Sequence, residues 1–263
     1  MTIYNHLPFN LTEAKDTGMF GCGTSQSGKS TLMKHLVEKI MNNGISVYVI
    51  DVSGTWTHCS PIQNTIVIHP NETVDVPTNT STVLDLSQLG YIQRVNYVIA
   101  FCQALYDWHK KFSFKKAPFE FVFFEEAHTY FPNGCFRSPR RFSPCIDIVT
   151  VGANFNLRFG AITQFPAMLD KALVKITQQR YFGFTTENND LNYVKGFIGK
   201  EHTDRLNKDK TPNLNSVFNL HKGQFIYQLR DKTEKIQSSD YKKPQSSYTV
   251  TATQQQVSYN FVL

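Results

Sequence analysis

A glycine-rich segment near the start of the chain constrains the possible fold more than any other feature. Residues 23–30 read G-T-S-Q-S-G-K-S and follow the short apolar run Met19–Cys22. In this spacing the glycines let the backbone curl so that successive N–H groups point at phosphate oxygens. Apolar residues at helical spacing follow within 30–42, so the loop would open a helix whose positive end faces the same anion. A strand, a loop and a helix in this order predict an α/β fold around a phosphate site.

The loop also supplies the side chains that a nucleoside triphosphate requires. Lys29 would place a point charge on the β- and γ-phosphates, and the Ser30 hydroxyl would ligate magnesium. We therefore predict that the chain binds ATP and Mg²⁺. The predicted nucleotide contacts are Gly23, Thr24, Ser25, Gln26, Ser27, Gly28, Lys29, Ser30 and Thr31.

A second segment ends in two adjacent acids. Residues 119–124 are apolar except for Glu120, as expected of a strand covered on both faces, and Glu125 and Glu126 follow it. Ligand sites of α/β sheets form at the carboxyl ends of strands. Adjacent residues of an extended chain point in opposite directions, so the two acids can serve different purposes. We assign Glu125 to the magnesium shell, through water, and Glu126 to the attacking water; alternatively, one of them begins a loop or caps a helix.

Gln164 completes the predicted hydrolytic site. It follows the predicted strand 158–163, where its carboxamide would touch both the γ-phosphate and the water. The alternative is a turn residue at the end of a strand. A phosphate loop, two acids and this glutamine together predict an enzyme that hydrolyses ATP.

Strands and helices alternate along the chain. This alternation predicts a mostly parallel central sheet flanked by helices, with right-handed crossovers. Residues 216–220 and 224–229, separated by H-K-G, predict a C-terminal β-hairpin. From Lys235 onward Ser, Gln, Thr and Tyr dominate, so we predict an ATPase domain over 1–234 and a polar tail over 235–263. Further predicted strands are 45–50, 65–68, 82–86 and 179–184, and predicted helices are 91–111, 145–154, 167–176 and 188–197.

Composition restricts the setting of the protein. The chain has 263 residues and a net charge of +6, which suits an acidic partner such as nucleic acid. Its five cysteines are odd in number and never spaced as C-x-x-C, which argues against a disulfide framework or a zinc ribbon. The start of the chain lacks the pattern of a signal peptide, and the longest apolar stretch, within 95–105, is too short to span a bilayer. We expect a soluble, cytoplasmic protein without a membrane segment.

Taken together, the motifs resemble the HerA–FtsK superfamily of DNA-pumping motor ATPases, over residues 15–232. The segment V-I-D-V-S-G-T-W at 49–56 is similar to the D-x-x-G-aromatic turn of HerA-type proteins, and L-D-L-S at 84–87 resembles another of their strand endings. The segment I-T-Q-F-P at 162–166 resembles their A-T-Q-R-P element, and the final hairpin with Gly223 also fits. Three positions depart from the family, since Glu125 replaces its usual aspartate, Ala153 an arginine, and Phe165 a second arginine.

The resemblance implies a P-loop NTPase with a RecA-like core, working as a homo-oligomeric ring, a hexamer or pentamer, that moves double-stranded DNA. Because the chain is close to a bare motor, it is similar to the genome-packaging ATPases of double-stranded DNA viruses. A viral protein in the host cytoplasm, with a capsid or other assembly protein as a further partner, would follow from that similarity.

Several basic residues have roles that only the resemblance implies. Ring motors complete each site with an arginine from the next subunit, and Arg180 or Arg158 would supply it; a salt-bridged or solvated arginine is the alternative for each. Arg137, Arg140 and Arg141 lie in the loop 132–144, which could face a central channel and track DNA phosphates or be a solvated loop. A second basic run is better explained as a solvated surface; it comprises Lys110, Lys111, Lys115 and Lys116.

Other functions stay open from the sequence. A related ATPase could drive conjugation, plasmid segregation or protein secretion, in which case single strands or proteins would stimulate it. A nucleotide-gated binding module with negligible turnover belongs to another class, and Glu125, Glu126 and Gln164 argue against it.

Overall fold

The structure is a computed structural model that describes residues 8–56, 65–70, 73–77, 79–114, 116–237 and 256–260. Lys115 and the parts 238–255 and 261–263 of the predicted tail lie outside the described residues. The strands are β1 Met19–Cys22, β2 Ser46–Asp51, β3 Ile66–Ile68, β4 Thr73–Pro77, β5 Thr82–Asp85, β6 Glu120–Phe124, β7 Leu157–Thr163, β8 Gln179–Gly183, β9 Gln224–Leu229, β10 Lys232–Gln237 and β11 Gln256–Asn260. The α-helices are α1 Leu11–Thr17, α2 Lys29–Met41, α3 Tyr91–Lys110, α4 Ser143–Thr150, α5 Lys171–Ile176 and α6 Asn188–Ile198.

Nine of these strands form one sheet, in the order β10-β9-β8-β1-β7-β6-β2-β5-β3. The strands from β8 to β3 in this order are all parallel, and β9 and β10 are antiparallel additions at one edge. The predicted P-loop fold with a mostly parallel sheet is confirmed. Because β1, β7 and β6 are neighbours and parallel, the segments that follow them meet at the same edge, which we call the carboxyl edge.

Helices cover both faces of the sheet, which explains why β6 is apolar after Glu120. Phe121 and Phe123 pack with α2 on one face, whereas Val122 and Phe124 pack with α3, α4 and α6 on the other. Side chains of a strand alternate between the two faces, so a strand buried on both sides is continuously apolar. The core thereby fixes the direction in which residues beyond β6 leave the sheet.

Most predicted elements are confirmed with small shifts at their ends, and two predicted helices differ more. The predicted helix 167–176 is a 3₁₀ turn, Pro166–Met168, followed by α5, because the side chain of Asp170 accepts from Ala172 N and starts a new helix. The predicted helix 145–154 begins earlier, at Ser143, and ends at Thr150, before a second 3₁₀ turn. Helix α1 and strands β4, β10 and β11 were not predicted.

The C-terminal hairpin exists, but one of its predicted strands is wrong. Val217–Asn219 forms a 3₁₀ turn because the Ser216 side chain accepts from Phe218 N. The hairpin joins β9 to β10 through the turn at 230–231, where Arg230 is left-handed with φ 53°.

The predicted boundary between residues 234 and 235 falls inside β10, which continues to Gln237. Strand β11 pairs antiparallel with β4 in a separate two-stranded sheet, with Val257 opposite Val76. The division into a domain and a tail stays a prediction. Among the described helices, none is long and apolar enough to cross a membrane.

Candidate nucleotide-binding and hydrolysis site

The glycine-rich loop connects β1 to α2 at the carboxyl edge and is fixed from outside by two main-chain hydrogen bonds. Thr24 N donates to Phe184 O at 2.8 Å, just beyond β8, and Gly223 N donates to Ser27 O at 2.9 Å, just before β9. The loop is therefore positioned by the strands on one side of β1 before any ligand binds.

Two glycines of the loop are required by close contacts. Gly28 has φ 98°, and a Cβ there would lie 3.0 Å from Gly223 N. Gly23 has φ 152°, and a Cβ there would lie 2.8 Å from Ser27 Oγ. Any other residue would push the loop away from its neighbours, so the pattern seen in the sequence has a steric cause.

Lys29, the first residue of α2, is buried and folds back over the loop. Its Nζ donates to Thr24 O at 2.7 Å. Burial lowers the pKa of Lys29, and the negative charges of Glu126 and Glu125 oppose that change. The lysine and both acids therefore share one electrostatic neighbourhood at the carboxyl edge.

Glu125 is 6% exposed and faces the end of β2. Its Oε2 accepts from Val52 N at 3.0 Å and from Ser53 Oγ at 3.0 Å. Asp51 stands beside it and accepts from main-chain N–H groups, including Gly54 N at 2.8 Å. Burial, together with the charge of Asp51, raises the pKa of Glu125 to about 8. The two carboxyls thus compete for ionisation, which is an arrangement that a cation would relieve.

The donor set fits a magnesium ion only in part. Carboxylate and hydroxyl oxygens are the ligands that Mg²⁺ takes, and it usually keeps several waters and shares substrate phosphates. Glu125 and Ser30 offer such oxygens, but the described residues contain no cluster of three or more His, Cys, Asp or Glu suited to a metal. A magnesium ion would therefore depend on the triphosphate for much of its coordination.

Glu126 points away from Glu125 and contacts the end of β7. Its Oε1 accepts from Gln164 Nε2 at 2.5 Å, and its Oε2 accepts from Gln164 N at 3.2 Å. Glu126 is also left-handed, with φ 50° and ψ 51°, a conformation that costs about 1–3 kcal/mol in a residue other than glycine. This turn gives the two adjacent acids different partners.

His128, two residues after Glu126, is a further residue of the site for which the sequence predicted no role. Its Nδ1 lies 2.9 Å from Thr163 Oγ1 and 3.4 Å from Glu126 Oε2. Because Thr163 Oγ1 accepts from Phe165 N at 3.1 Å, its hydroxyl proton is available to His128 Nδ1. Burial lowers the pKa of His128, and the charge of Glu126 opposes the change. His128 therefore packs against the ends of β6 and β7 beside Glu126, and only its place two residues after that acid signalled it.

The two candidate finger arginines do not reach the nucleotide loop of their own chain. Arg158 and Arg180 are the second residues of β7 and β8, at the opposite edge of the sheet. Arg158 Nε donates to Lys15 O. Arg180 donates to Val174 O at 3.0 Å and to Gln228 Oε1 at 2.8 Å. Any catalytic role for either would have to be in a neighbouring subunit.

The loop after the acids exposes its three arginines, Arg137, Arg140 and Arg141. Arg140 and Arg141 line a cleft of about 550 Å³ together with Pro132, Asn133, Gly134, Cys135, Ser138 and Phe142. The structure brings these residues near the carboxyl edge but shows no acidic partner for them among the described residues.

Hydrogen bonds connect that loop to the segment following Gln164. Asn133 N donates to Met168 O at 3.1 Å, and Asn133 Nδ2 donates to Ala167 O at 2.8 Å. Asp170 N donates to Phe131 O at 2.9 Å, and Phe136 N donates to an Asp170 carboxylate oxygen at 3.2 Å. The segment that follows Gln164 is therefore joined to the arginine loop by four hydrogen bonds.

Solved structures with this fold include a viral genome-packaging NTPase, VirB4 and a conjugation coupling protein. The genome packaging NTPase B204 from Sulfolobus turreted icosahedral virus 2, in complex with AMPPCP, has a TM-score of 0.60 and 15% identity, and the match covers 86% of this chain and 98% of that chain. VirB4 of Thermoanaerobacter pseudethanolicus has a TM-score of 0.62 and 10% identity, covering 85% and 89%. The conjugation coupling protein TcpA of pCW3 has a TM-score of 0.52 and 12% identity, covering 86% and 61%.

At these identities the likeness defines the fold and not the activity. The resemblance to HerA–FtsK-type ATPases that the motifs carry is confirmed at that level. No protein-family model matches the chain, and no curated protein matches it.

Proposed function

We propose that this chain is a nucleotide-driven motor ATPase that couples Mg-ATP hydrolysis to the movement of double-stranded DNA, in genome packaging. The observation that carries the proposal is the meeting of Lys29, Glu125 and Glu126 at one edge of the sheet, where the charges of both acids act on the lysine. A phosphate loop faced by a carboxylate that can take a proton is the arrangement that hydrolysis needs.

The reaction can be assigned to residues of the site. Main-chain N–H groups of residues 23–30 and the Lys29 ammonium bind the β- and γ-phosphates. Glu126 accepts a proton from a water, the water oxygen forms a bond to the γ-phosphorus, and the bond from that phosphorus to the β,γ-bridging oxygen breaks. Gln164 holds the carboxylate of Glu126 for this step, through its main-chain N–H and its side-chain amide.

Magnesium supplies charge neutralisation for the phosphate oxygens when it is bound. Ser30 and Glu125 would hold it, with water and phosphate oxygens as the other ligands. Asp51 contributes indirectly, because it lies against Glu125 and is itself fixed by three main-chain N–H groups.

Coupling to DNA would use the connection between Gln164 and the arginine loop. Loss of the γ-phosphate changes what Glu126 and Gln164 contact, and the bonds of Asn133 and Asp170 transmit the change to Arg137, Arg140 and Arg141. These arginines would hold phosphates without reading sequence. A homo-oligomeric ring would supply Arg180 or Arg158 to the neighbouring site, with a capsid or assembly protein as a further partner.

A conjugation, segregation or secretion motor is the second candidate. One observation supports it: the conjugation coupling protein TcpA of pCW3 shares the fold, with a TM-score of 0.52. The site chemistry would be the same, and the transported polymer would differ.

The test is steady-state ATP turnover with magnesium, measured with and without duplex DNA across a salt series. We expect turnover that duplex DNA stimulates and that salt weakens, because phosphate contacts release counterions. Turnover stimulated by single strands or proteins, with indifference to duplex DNA, would support the second candidate. Absence of turnover under all these conditions would refute the motor.

A further inference from the structure

The order of the strands indicates the direction in which a bound nucleotide lies across the phosphate loop. Glu126 and Gln164, which would face the γ-phosphate, follow β6 and β7, on one side of β1. Strands β8 and β9 lie on the other side of β1. A triphosphate with its γ end toward Glu126 therefore directs its nucleoside end toward β8 and β9.

A tight turn lies on that side of β1, immediately before β9. It spans residues 221–224, where Gln224 N donates to His221 O at 2.9 Å and His221 N donates to Gln224 Oε1 at 3.0 Å. Because β9 is antiparallel to β8, its first residue, Gln224, lies at the carboxyl edge, beside the phosphate loop. Sequence reasoning placed these residues in a hairpin loop and gave them no ligand.

The turn is fixed against the phosphate loop. Gly223 N donates to Ser27 O at 2.9 Å, and a Cβ on Gly28 would lie 3.0 Å and 3.1 Å from the N and Cα of Gly223. An ordinary connecting turn points into solvent and is mobile. This one has its main chain packed on the residues that would surround the β-phosphate, so its side chains have a fixed starting point next to any bound nucleotide.

The side chains at the tip of the turn are exposed. His221 and Lys222 both lie on the surface, while the hydrogen bonds of the turn are made by main-chain atoms and by the Gln224 side chain. An imidazole ring can stack on a base, and an ammonium group can contact a ribose or an α-phosphate oxygen. These are the two chemistries that a nucleoside subsite requires beyond the phosphate loop.

We propose that the turn of residues 221–224 is the nucleoside subsite, in which His221 stacks on the purine base and Lys222 contacts the ribose and the α-phosphate. The inference rests on the proposed function, since it takes the γ-phosphate to face Glu126. It assigns to this turn the preference for a nucleotide over inorganic polyphosphate, which the phosphate loop alone cannot provide.

The experiment compares three ligands in the presence of magnesium. Displacement of a fluorescent ATP analogue gives Kd values for ATP, ADP and tripolyphosphate, for the wild type and for His221→Ala and Lys222→Ala. Lys232→Ala, at an exposed lysine of β10, is the matched control. Thermal unfolding of each variant verifies that the fold is retained.

We expect His221→Ala to raise the Kd for ATP and ADP roughly tenfold, the low end of what a base–aromatic stack contributes. Lys222→Ala should raise both by a few-fold, consistent with loss of a charge-assisted contact. The Kd for tripolyphosphate should stay unchanged for His221→Ala, and Lys232→Ala should bind all three ligands as the wild type does.

Three outcomes would overturn the subsite. Unchanged ATP affinity in both variants would remove it and leave the ATPase intact. An equal loss of ATP and tripolyphosphate affinity in His221→Ala would show that the turn only shapes the phosphate loop. Loss of DNA stimulation with unchanged Kd values would make the turn a DNA contact. Failure of the wild type to bind ATP at all would instead refute the proposed function, and the subsite with it.

Discussion

Strand β6 has a buried glutamate at each end, and the surroundings of the two differ. Glu120, at the amino end, is fully buried and accepts from the Tyr48 hydroxyl at 3.1 Å and from Asn79 N at 3.1 Å. His109 Nε2 lies 2.8 Å from it, and His109 Nδ1 donates to Phe155 O. Glu125, beyond the carboxyl end, faces the carboxyl of Asp51, and burial together with that neighbouring charge raises the pKa of Glu125.

The backbone shows the same contrast. Around Glu120 it is regular strand, with Glu120 N donating to Asn156 O at 2.9 Å. Beyond Glu125 the chain turns left-handed at Glu126 and continues as a 3₁₀ turn. The amino end is thus a satisfied network that stabilises the fold, whereas the carboxyl end keeps strain and like charges together. Such features persist where a site uses them.

Replacing Glu126, the proposed general base beyond the carboxyl end of β6, should give the largest effect on activity. Glu126→Gln keeps the shape of the side chain but cannot take a proton from water. We expect kcat to fall by about 10²–10⁴-fold, the usual contribution of a general base, while ATP binding is retained. Steady-state turnover and ATP affinity measure the two effects.

The exposed Glu234 of β10 offers the control, because Glu234→Gln removes the same charge at a position remote from the site. Near-normal turnover by Glu126→Gln would contradict the role assigned to this residue and would leave the contrast between the two ends without a catalytic meaning.

At the amino end the corresponding change should act on stability. Glu120→Ala removes the acceptor shared by Tyr48, Asn79 and His109. Removing one partner of a buried charged network costs about 3–5 kcal/mol, so the free energy of unfolding should fall by that amount in urea titration. The kcat per folded molecule should stay close to that of the wild type, and a kcat loss without a stability loss would break the comparison.

The pH dependence of stability should sharpen the contrast between the two ends of β6. The pKa of Glu125 is raised from its ordinary 4.5 to about 8, so between these values the folded state binds more protons than the unfolded state. The contribution of this group to the free energy of unfolding therefore falls as pH rises through that interval, by at most about 1.4 kcal/mol per pH unit.

Denaturant unfolding across that interval, without magnesium, measures the slope. Glu125→Gln should lose this decline, because an amide does not titrate. A variant with the same slope as the wild type would mean that other groups carry the pH dependence.

The sequence predicted the parts of the site that depend on local pattern. The loop of residues 23–30 and the strand before Glu125 are recognisable because their residue types are set by steric contact and by burial on both faces. The pairing of Glu126 with Gln164, and that of Glu125 with Asp51, could not be predicted, since they depend on which strands are neighbours.

The secondary-structure predictions that were wrong also failed because local pattern does not show tertiary surroundings. β10 is a polar edge strand, mostly exposed, so it lacks the alternation that marks a strand, whereas Val217 and Leu220 are buried without being in one. Arg180 was placed on the correct strand, but the pattern did not tell at which edge of the sheet its guanidinium would lie.

The smallest expected effect concerns the connection from the carboxyl edge to the arginine loop. Asn133→Ala removes the hydrogen bond to Ala167 O, which contributes about 1 kcal/mol. We expect the basal kcat to be unchanged and the stimulation by duplex DNA to fall roughly fivefold, as that energy implies. Turnover with and without DNA measures both quantities.

Asn43→Ala is a matched control at the other edge. Asn43 lies just beyond the end of α2. Its Nδ2 also donates to a main-chain carbonyl, that of Lys39, at 2.7 Å. If the carboxyl edge alone communicates with the DNA loop, this variant keeps its DNA stimulation, because it loses the same kind of bond where the sheet only supports the fold. An equal loss of stimulation in both variants would show that the response depends on general stability, and the functional distinction between the two edges would then be wrong.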